Sequence, residues 1–450
     1  MIINMLKQHK ENEKASFHMP GHKNGVGFQG APFSGALFSF DTTELPGTDA
    51  LIEPEGAILE AEKYAASLYR AKHSFFLVNG STGGILAMIY SAFSPGDRVI
   101  VDRNCHQSVL NGIVLSGVSP IYVTPEGSHL PDVPGTVSPE LVEQALNLYP
   151  DIRGAIITGP NYYGATANIK AVADLLHKHN AVLLVDEAHG AHFPFSTRLP
   201  ESAICLGADM SVVSLHKTLP APNQTALLNI GKRISIQKTR TAVRMFQTSS
   251  PSYVLLAAME YALQYAETKG NAETERMLSL LSPLNLPSLD DPLKLLPTWA
   301  DKGISGYMAE EILRTQFGIY VEMCNTHRIL CMASWCNSEA DVKRLSEGLA
   351  YLDALPQQGE PIACPAKVEA AVNVSAITPA EATRFPHGLL PLQKAKGKIC
   401  VSAVSAFPPC IPVLLPGEII TSESIAYINE LQRNHATITG MTDDMVAVVL

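Results

Sequence analysis

Between residues 72 and 230 the chain repeats one pattern: a short aliphatic or β-branched run, a polar cluster, then a helical periodicity. Ser74–Val78 is such a run, and Asn79-Gly80 then opens a helical stretch from Ile85 to Phe93 that Ser94-Pro95-Gly96 stops. Arg98–Val101 reads as the next strand and Gln107–Gly117 as the next helix, with further runs at Ala155–Ile157, Val182–Val185 and Ser211–Ser214. Continuously apolar strands separated by helices predict an α/β fold built on a mostly parallel sheet covered on both faces. In such sheets chemistry gathers just beyond the carboxyl ends of the strands. Polar residues cluster at those places: Asn79–Thr82, Asn104–His106, Thr158–Tyr163, Asp186–His189 and Ser214–Lys217.

Two of these clusters pair a lysine with a carboxylate. Lys217 follows a strand in Ser214-Leu215-His216-Lys217-Thr218, and Asp186 ends the run Leu183-Leu184-Val185. A lone lysine is ordinarily a solvated surface charge. Together with a strand-end aspartate it meets what pyridoxal 5'-phosphate (PLP) chemistry needs: an amine for a Schiff base and a carboxylate for the protonated pyridine nitrogen. Asp186 would serve equally as a structural acid capping the next segment. Asn79-Gly80-Ser81-Thr82-Gly83-Gly84 is a strand-to-helix turn whose N–H groups and hydroxyls suit a phosphate. It lacks the lysine of a nucleotide-binding loop, and many glycine-rich turns are merely tight. Ser214 and His216 could grip the phosphate from the other side. His106 could stack on the pyridine ring, or simply hydrogen-bond at its strand end. His189 and His192 follow Asp186, but Gly190 weakens the helix a metal-binding spacing would need, and no metal site is read.

The remaining sequence bounds the alternatives. A chain of 450 residues with 46% hydrophobic and 17% charged residues can bury a large core. The formal net charge is −10 and no Lys/Arg stripe occurs, which argues against nucleic acid as a partner. Eight scattered cysteines without a CxxC pair read as reduced thiols. Cys324, Cys331, Cys336 and His327 fit no zinc spacing and read as structural. The N-terminus has no apolar signal core, and no run approaches the roughly 20 residues that span a bilayer, so a cytoplasmic protein without membrane contact is the expectation. Residues 275–300 and 357–365 read as irregular junctions, with helices at Met308–Gln316 and Glu339–Leu352 and a strand at Ile319–Glu322 beyond the first.

Further motifs bring in a resemblance. Phe17-His18-Met19-Pro20-Gly21-His22-Lys23 and Glu44-Leu45-Pro46-Gly47-Thr48-Asp49, followed by Pro54-Glu55-Gly56, are similar to the opening signature of the Orn/Lys/Arg decarboxylase family. The likeness continues through Val78–Gly84, Asp102–Ser108, Pro160–Gly164, Asp186–Phe193, Ser214–Leu219, Gln247–Tyr253, Pro408-Pro409, Ile411-Pro412 and Pro416-Gly417-Glu418, and so covers most of the chain.

The resemblance implies a fold-type-I (aspartate-aminotransferase-like) architecture, PLP, and decarboxylation of lysine, ornithine or arginine. It divides the chain into an N-terminal arm (1–40), a PLP-binding large domain (41–275) and a small α+β domain (276–450). It makes Lys217 the Schiff-base lysine, Asp186 the partner of the pyridine nitrogen and His106 the ring-stacking histidine. It places Ser81, Thr82, Gly83, Ser214 and His216 around the phosphate and His189 near the ring face or its 3′-oxygen. It implies a homodimer with the site at the interface, so that the segments around His18 and Thr248–Ser250 would serve the partner's site. Longer members carry a wing domain before the first motif, and this chain resembles the shorter form. Leu215 stands where threonine is common, Pro220-Ala221-Pro222-Asn223 is unusual after the lysine, and Cys410 stands where glycine is usual. Glu418, Asp49 and Glu53 are candidates for the distal cation of a basic substrate, though each taken alone reads more readily as a solvated carboxylate. The same lysine–aspartate–phosphate set would also serve an aminotransferase, a lyase, or a PLP-binding relative without turnover.

Overall fold

The computed structural model describes residues 11–32, 34–35, 37, 41–45, 48–130, 132–363, 369–407, 411–433 and 437–450. Residues 1–10, Pro46, Gly47 and Pro408–Cys410, which carry some of the readings above, lie outside the described residues. Helix α1 (Ala57–Leu68) leads into strand β1 (His73–Leu77), and alternation follows: α2 (Gly80–Ala92), β2 (Arg98–Asp102), α3 (Gln107–Ser116), β3 (Ser119–Thr124), α4 (Pro139–Leu148), β4 (Ile152–Thr158), α5 (Ile169–Lys178) and β5 (Val182–Asp186). Then come β6 (Met210–Ser214), a single turn α6 (Leu215–Thr218), β7 (Ala226–Ile230), α7 (Ile236–Phe246) and the long α8 (Tyr253–Leu281).

With a late strand β8 (Ala371–Val374) at one edge, these form one eight-stranded sheet in the order β8-β3-β2-β4-β5-β6-β7-β1. Strands β3, β2, β4, β5 and β6 are mutually parallel. The β6–β7, β7–β1 and β3–β8 pairs are antiparallel. The fold is the mostly parallel α/β sheet that the apolar runs predict. Strand pleating sends alternate residues to opposite faces, and both faces are covered. Val99 and Val101 join the cluster under α2 and α3, while Ile100 between them joins the cluster under α4 and α5. All three are fully buried, each contributing about 1.5–3 kcal/mol relative to exposure.

Parallel strands with helical returns bring their carboxyl ends to one edge. Register pairs Thr158 with Asp186, and the backbone N–H of Thr158 donates to Asp102 at the end of β2. Three strand-end side chains therefore stand side by side: Asp102, Thr158 and Asp186.

A second body packs over this edge. Ala15–Phe17 pairs in parallel with Ile319–Val321. Lys294–Leu295, Ile329–Met332 and Met323–Cys324 form a small antiparallel sheet. Phe17, Tyr69, Leu215, Met259, Trp299, Trp335 and Leu345 belong to one apolar cluster, so the N-terminal strand, α1, α8 and residues 294–354 share a core. Residues 387–449 carry separate antiparallel strands with a core of their own, including Leu392, Ile420, Ile428 and Val446. Among the described residues no helix is long and apolar enough to cross a membrane.

Candidate active site

A cavity of about 610 Å³ opens where the strand ends face the second body, and it collects most of the residues singled out by their sequence positions. Ser81, Thr82, His106, Asp186, His189, His216 and Lys217 all line it. Ser214 and Gly83 do not. Ser214 is fully buried and its hydroxyl meets His216 Nδ1 at 3.1 Å, so it reaches the cavity only through that ring. Gly83 is turned toward the Phe246 carbonyl and the Asn79 side chain, against α7.

The local backbone explains these placements. Gly80 opens α2 with φ +68°, a left-handed conformation that glycine adopts without strain, and its N–H donates to the Gln224 carbonyl at 2.8 Å. The Pro220–Asn223 departure thus leads into Gln224, which joins the cavity wall beside the helix start. Leu215 is buried in the shared core rather than in the cavity. His106 caps α3: its Nδ1 accepts the Ser108 N–H at 3.1 Å and meets the Ser108 hydroxyl at 2.8 Å. The ring also lines the cavity. The arm is fixed against the lysine turn, because the Gly21 N–H donates to the His216 carbonyl at 2.7 Å. A Cβ on Gly21 would stand 2.7 Å from the Leu219 carbonyl oxygen, so only glycine fits there.

The electrostatics are unusual for so small a space. Asp186 is buried, accepts the Ala188 N–H at 3.1 Å through Oδ1, and ion-pairs with no cation among the described residues. Its neighbour Asp102 is pushed up to about 7 by burial, two backbone N–H bonds opposing and the Asp186 charge adding. Lys217 is held below the usual lysine range by desolvation, against the attraction of Asp186 and Glu322. Its Nζ lies 3.0 Å from His189 Nε2. His216 is lowered to about 4 by desolvation and then by Lys217. Desolvation likewise lowers His106, with Asp186 opposing and Lys217 adding. Thr158 lines the cavity, and its hydroxyl is buried without a hydrogen-bond partner among the described residues.

The far wall holds residues that sequence reasoning did not assign. Glu322, between two short strands, lines the cavity. One oxygen accepts the Tyr162 hydroxyl and the other the Met19 N–H, the latter at 2.7 Å. Tyr162 packs edge-on against His189 with centroids 4.8 Å apart. Met19 and Tyr162 lie inside motifs quoted above, but Glu322 was marked only as the end of a strand.

The three carboxylates suggested for a substrate's distal cation are committed elsewhere. Glu418 forms a two-pronged ion pair with Arg103 and also accepts the Leu415 N–H. Asp49 accepts the N–H groups of Ala50, Glu55, Gly56 and Ile58, which closes the start of α1; burial opposes its ionisation, but these donors hold it below the usual range. Glu53 pairs with Arg244 at the surface. His18 turns to Glu13 at 2.6 Å, while Met19 beside it reaches this chain's own cavity. Thr248–Ser250 are exposed. His192 leaves the cavity for the buried Asp291, 3.3 Å away.

Known proteins resemble this chain in sequence and fold. An arginine decarboxylase of Halalkalibacterium halodurans is 34% identical, covering 97% of this chain and 94% of its own. An arginine decarboxylase of Bacillus subtilis is 33% identical over 94% of this chain and 91% of its own. Among solved structures, the constitutive lysine decarboxylase of E. coli superposes with a TM-score of 0.76 at 18% identity, covering all of this chain and 81% of that one. A chain described as SPT with PLP gives 0.58 at 17% identity, covering 76% and 88%; at such identities the likeness speaks for the fold-type-I architecture alone. Residues 2–284 match the family described as Orn/Lys/Arg decarboxylase, major domain, and residues 367–449 match its C-terminal domain. With both family domains matched in order and relatives aligned nearly end to end, the chain belongs to the Orn/Lys/Arg decarboxylase family.

Proposed function

We propose that this chain is a PLP-dependent decarboxylase of a basic amino acid, with arginine as the substrate. The observation that carries the reading is the sharing of one cavity by a desolvated lysine and two carboxylates that form no salt bridge among the described residues: Lys217, Asp186 and Glu322. The relatives' names favour arginine among the basic amino acids.

The donor set fits the cofactor. A buried carboxylate without a cation is costly, and a protonated ring nitrogen would supply the missing charge to Asp186. The α2 start with Ser81 and Thr82, and His216 across from it, offers donors for a phosphate. Thr158 has a hydroxyl to spare. Lys217 would hold the cofactor covalently, and His106 and His189 would line its ring. When bound, PLP supplies an electron sink for the pair released as the Cα–carboxylate bond breaks.

The chain's own residues do the rest. Asp186 keeps the charge that favours the sink. Lys217, lowered by desolvation, gives up its proton more readily than an exposed lysine and, once protonated, is the acid that returns a proton to Cα. Glu322 receives the distal cation. Its two oxygens are each fixed by one neutral donor, from Tyr162 and Met19, which leaves acceptor capacity facing the cavity in a fixed orientation for a planar guanidinium. Anchoring both ends of the substrate selects which Cα bond is aligned to break. We also read the protein as a homodimer in the cytoplasm, the exposed Thr248–Ser250 segment being the part offered to the partner's site.

The test is carbon dioxide release from carboxyl-labelled arginine, lysine and ornithine by protein purified with PLP. The expected result is label released as CO₂ from arginine, with agmatine formed in equal amount. A keto acid product with no CO₂, or release from none of the three, overturns the proposal.

A further inference from the structure

Behind His189, outside the cavity, lies a second lysine that the proposed reaction does not use. Lys294 is 1% exposed, and its Nζ lies 2.8 Å from His189 Nδ1. The other ring nitrogen meets Lys217 Nζ at 3.0 Å. A single imidazole is therefore clamped between two lysine amines. Lys294 is itself held by the Tyr162 carbonyl at 3.3 Å and by Met332 Sδ at 3.5 Å, with its ammonium 5.7 Å from the Tyr162 ring centroid.

Hydrogen-bond counting limits the charge of this trio. A neutral imidazole has one N–H and one lone pair, whereas an ammonium only donates. Two ammonium groups would need a lone pair on both ring nitrogens, which a neutral ring does not have. At most one of the two lysines is charged when both contacts are hydrogen bonds.

We propose that Lys294 is a positioning residue for Lys217: through His189 the two amines share a single proton, so that Lys294 holds the charge whenever Lys217 is a neutral amine. The transfer balances. Lys294 gives a proton to His189 Nδ1 and becomes a neutral amine, while His189 gives its Nε2 proton to Lys217, which becomes an ammonium. The ring ends neutral in its other tautomer, and the total charge is unchanged.

The surroundings suit a proton that moves. Lys294 is lowered to about 8 by desolvation, with Asp291 and Glu322 raising it and Lys217 and Lys23 lowering it further. His189 is driven well below its usual value by desolvation and by Lys217, Lys294, His106 and His216, which keeps the ring neutral. Asp186 attracts the proton toward Lys217, Asp291 toward Lys294, and Glu322 toward both. The use of this proton in catalysis rests on the function proposed above, since it is there that Lys217 alternates between nucleophile and acid; the shared proton itself does not.

The experiment has two arms on the full-length protein. In the cofactor-free protein, ¹⁵N NMR of the histidine rings, with His189 assigned by its loss in His189→Asn, reads the ring directly. A neutral His189 at about pH 7, whose nitrogen shifts change in Lys294→Met, is expected. A ring protonated on both nitrogens, or one indifferent to Lys294→Met, overturns the proposal. Should Lys294→Met not fold, the wild-type spectrum still decides the first point. The second arm follows the pH dependence of covalent capture of pyridoxal phosphate by Lys217. Lys294→Met should raise the midpoint by about 1 pH unit, because the competing charge is gone. Lys294→Arg should keep the midpoint low yet turn over roughly tenfold more slowly, because a guanidinium cannot give up its proton. A purely packing role for Lys294 predicts no midpoint shift in the Met variant, and that result also overturns the proposal. Failure of Lys217 to capture the cofactor at all would instead sink the proposed function, leaving the His189 spectrum to judge the shared proton.

Discussion

The two walls of the cavity are built on different principles. The floor rests on a row of strand ends, where parallel register brings together Asp102, Thr158, Asp186 and the Ser214–Lys217 turn, and from which Thr158, Asp186, His216 and Lys217 reach the cavity. The opposite wall is assembled from distant parts of the chain: Met19 and Tyr162 meet Glu322, and behind the wall Lys294 meets His189. The floor carries what a whole fold class shares, a lysine, a carboxylate and a helix start. The wall carries what would tell one substrate from another. Variants can separate the two.

The largest expected effect is on the floor. Lys217→Ala should abolish covalent capture of the cofactor and lower the CO₂ release rate by on the order of 10³ or more, measured at saturating substrate and PLP. The next is on the wall. Glu322→Gln keeps the shape but removes the charge, and should lower kcat/KM for arginine roughly 10–100-fold, about 1.5–3 kcal/mol, while leaving the cofactor spectrum unchanged. Equal losses for arginine and for an uncharged analogue such as citrulline would show that Glu322 supports the fold rather than the substrate.

The contrast also explains what the sequence made legible. Strand ends are local features: a run such as Leu183–Val185 announces that the next residue, Asp186, lies at a sheet edge. Residues lining the floor could be read for that reason. Glu322 lies between two short strands and Lys294 in another, and so short a pattern carries no information about partners more than 100 residues away in sequence. The same blindness affected the guesses for the distal cation. Glu418, Asp49 and Glu53 are acidic residues near motifs, but each has an arginine or backbone partner that only the folded chain supplies. A signal for Glu322 was present, a lone acid in the run Ile319-Tyr320-Val321-Glu322-Met323-Cys324. The parallel strand β3 and the antiparallel strands β7 and β8 have no counterpart in the sequence reading. β7 pairs its whole length between β1 and β6, a long-range choice that no local pattern announces.

Two smaller effects sharpen the boundary between site and scaffold. Arg103→Ala breaks the ion pair with Glu418 and should cost about 1–3 kcal/mol of stability, seen as a lower Tm, with KM for arginine unchanged. A large rise in KM would return Glu418 to the substrate pocket. Asp102→Asn should change a pH slope. The Asp102 carboxyl is raised in the folded state to about 7, so its contribution to stability is complete at acid pH, below its ordinary value, and is lost as pH rises through about 7. The variant should be less pH-sensitive than the wild type between about pH 4 and 7 in thermal unfolding of the cofactor-free protein. An unaltered slope would place the ionisation of Asp102 outside the stability of the floor.

The central claim is that Lys217 is the amine that takes the cofactor, and three lysines compete for that assignment. Lys23 and Lys294 are also buried, and each is lowered to about 8 by desolvation. Borohydride reduction of the PLP-loaded protein followed by peptide mapping distinguishes them. The account predicts one phosphopyridoxyl group per chain, on Lys217; a group on Lys23 or Lys294, or none on any of the three, contradicts it.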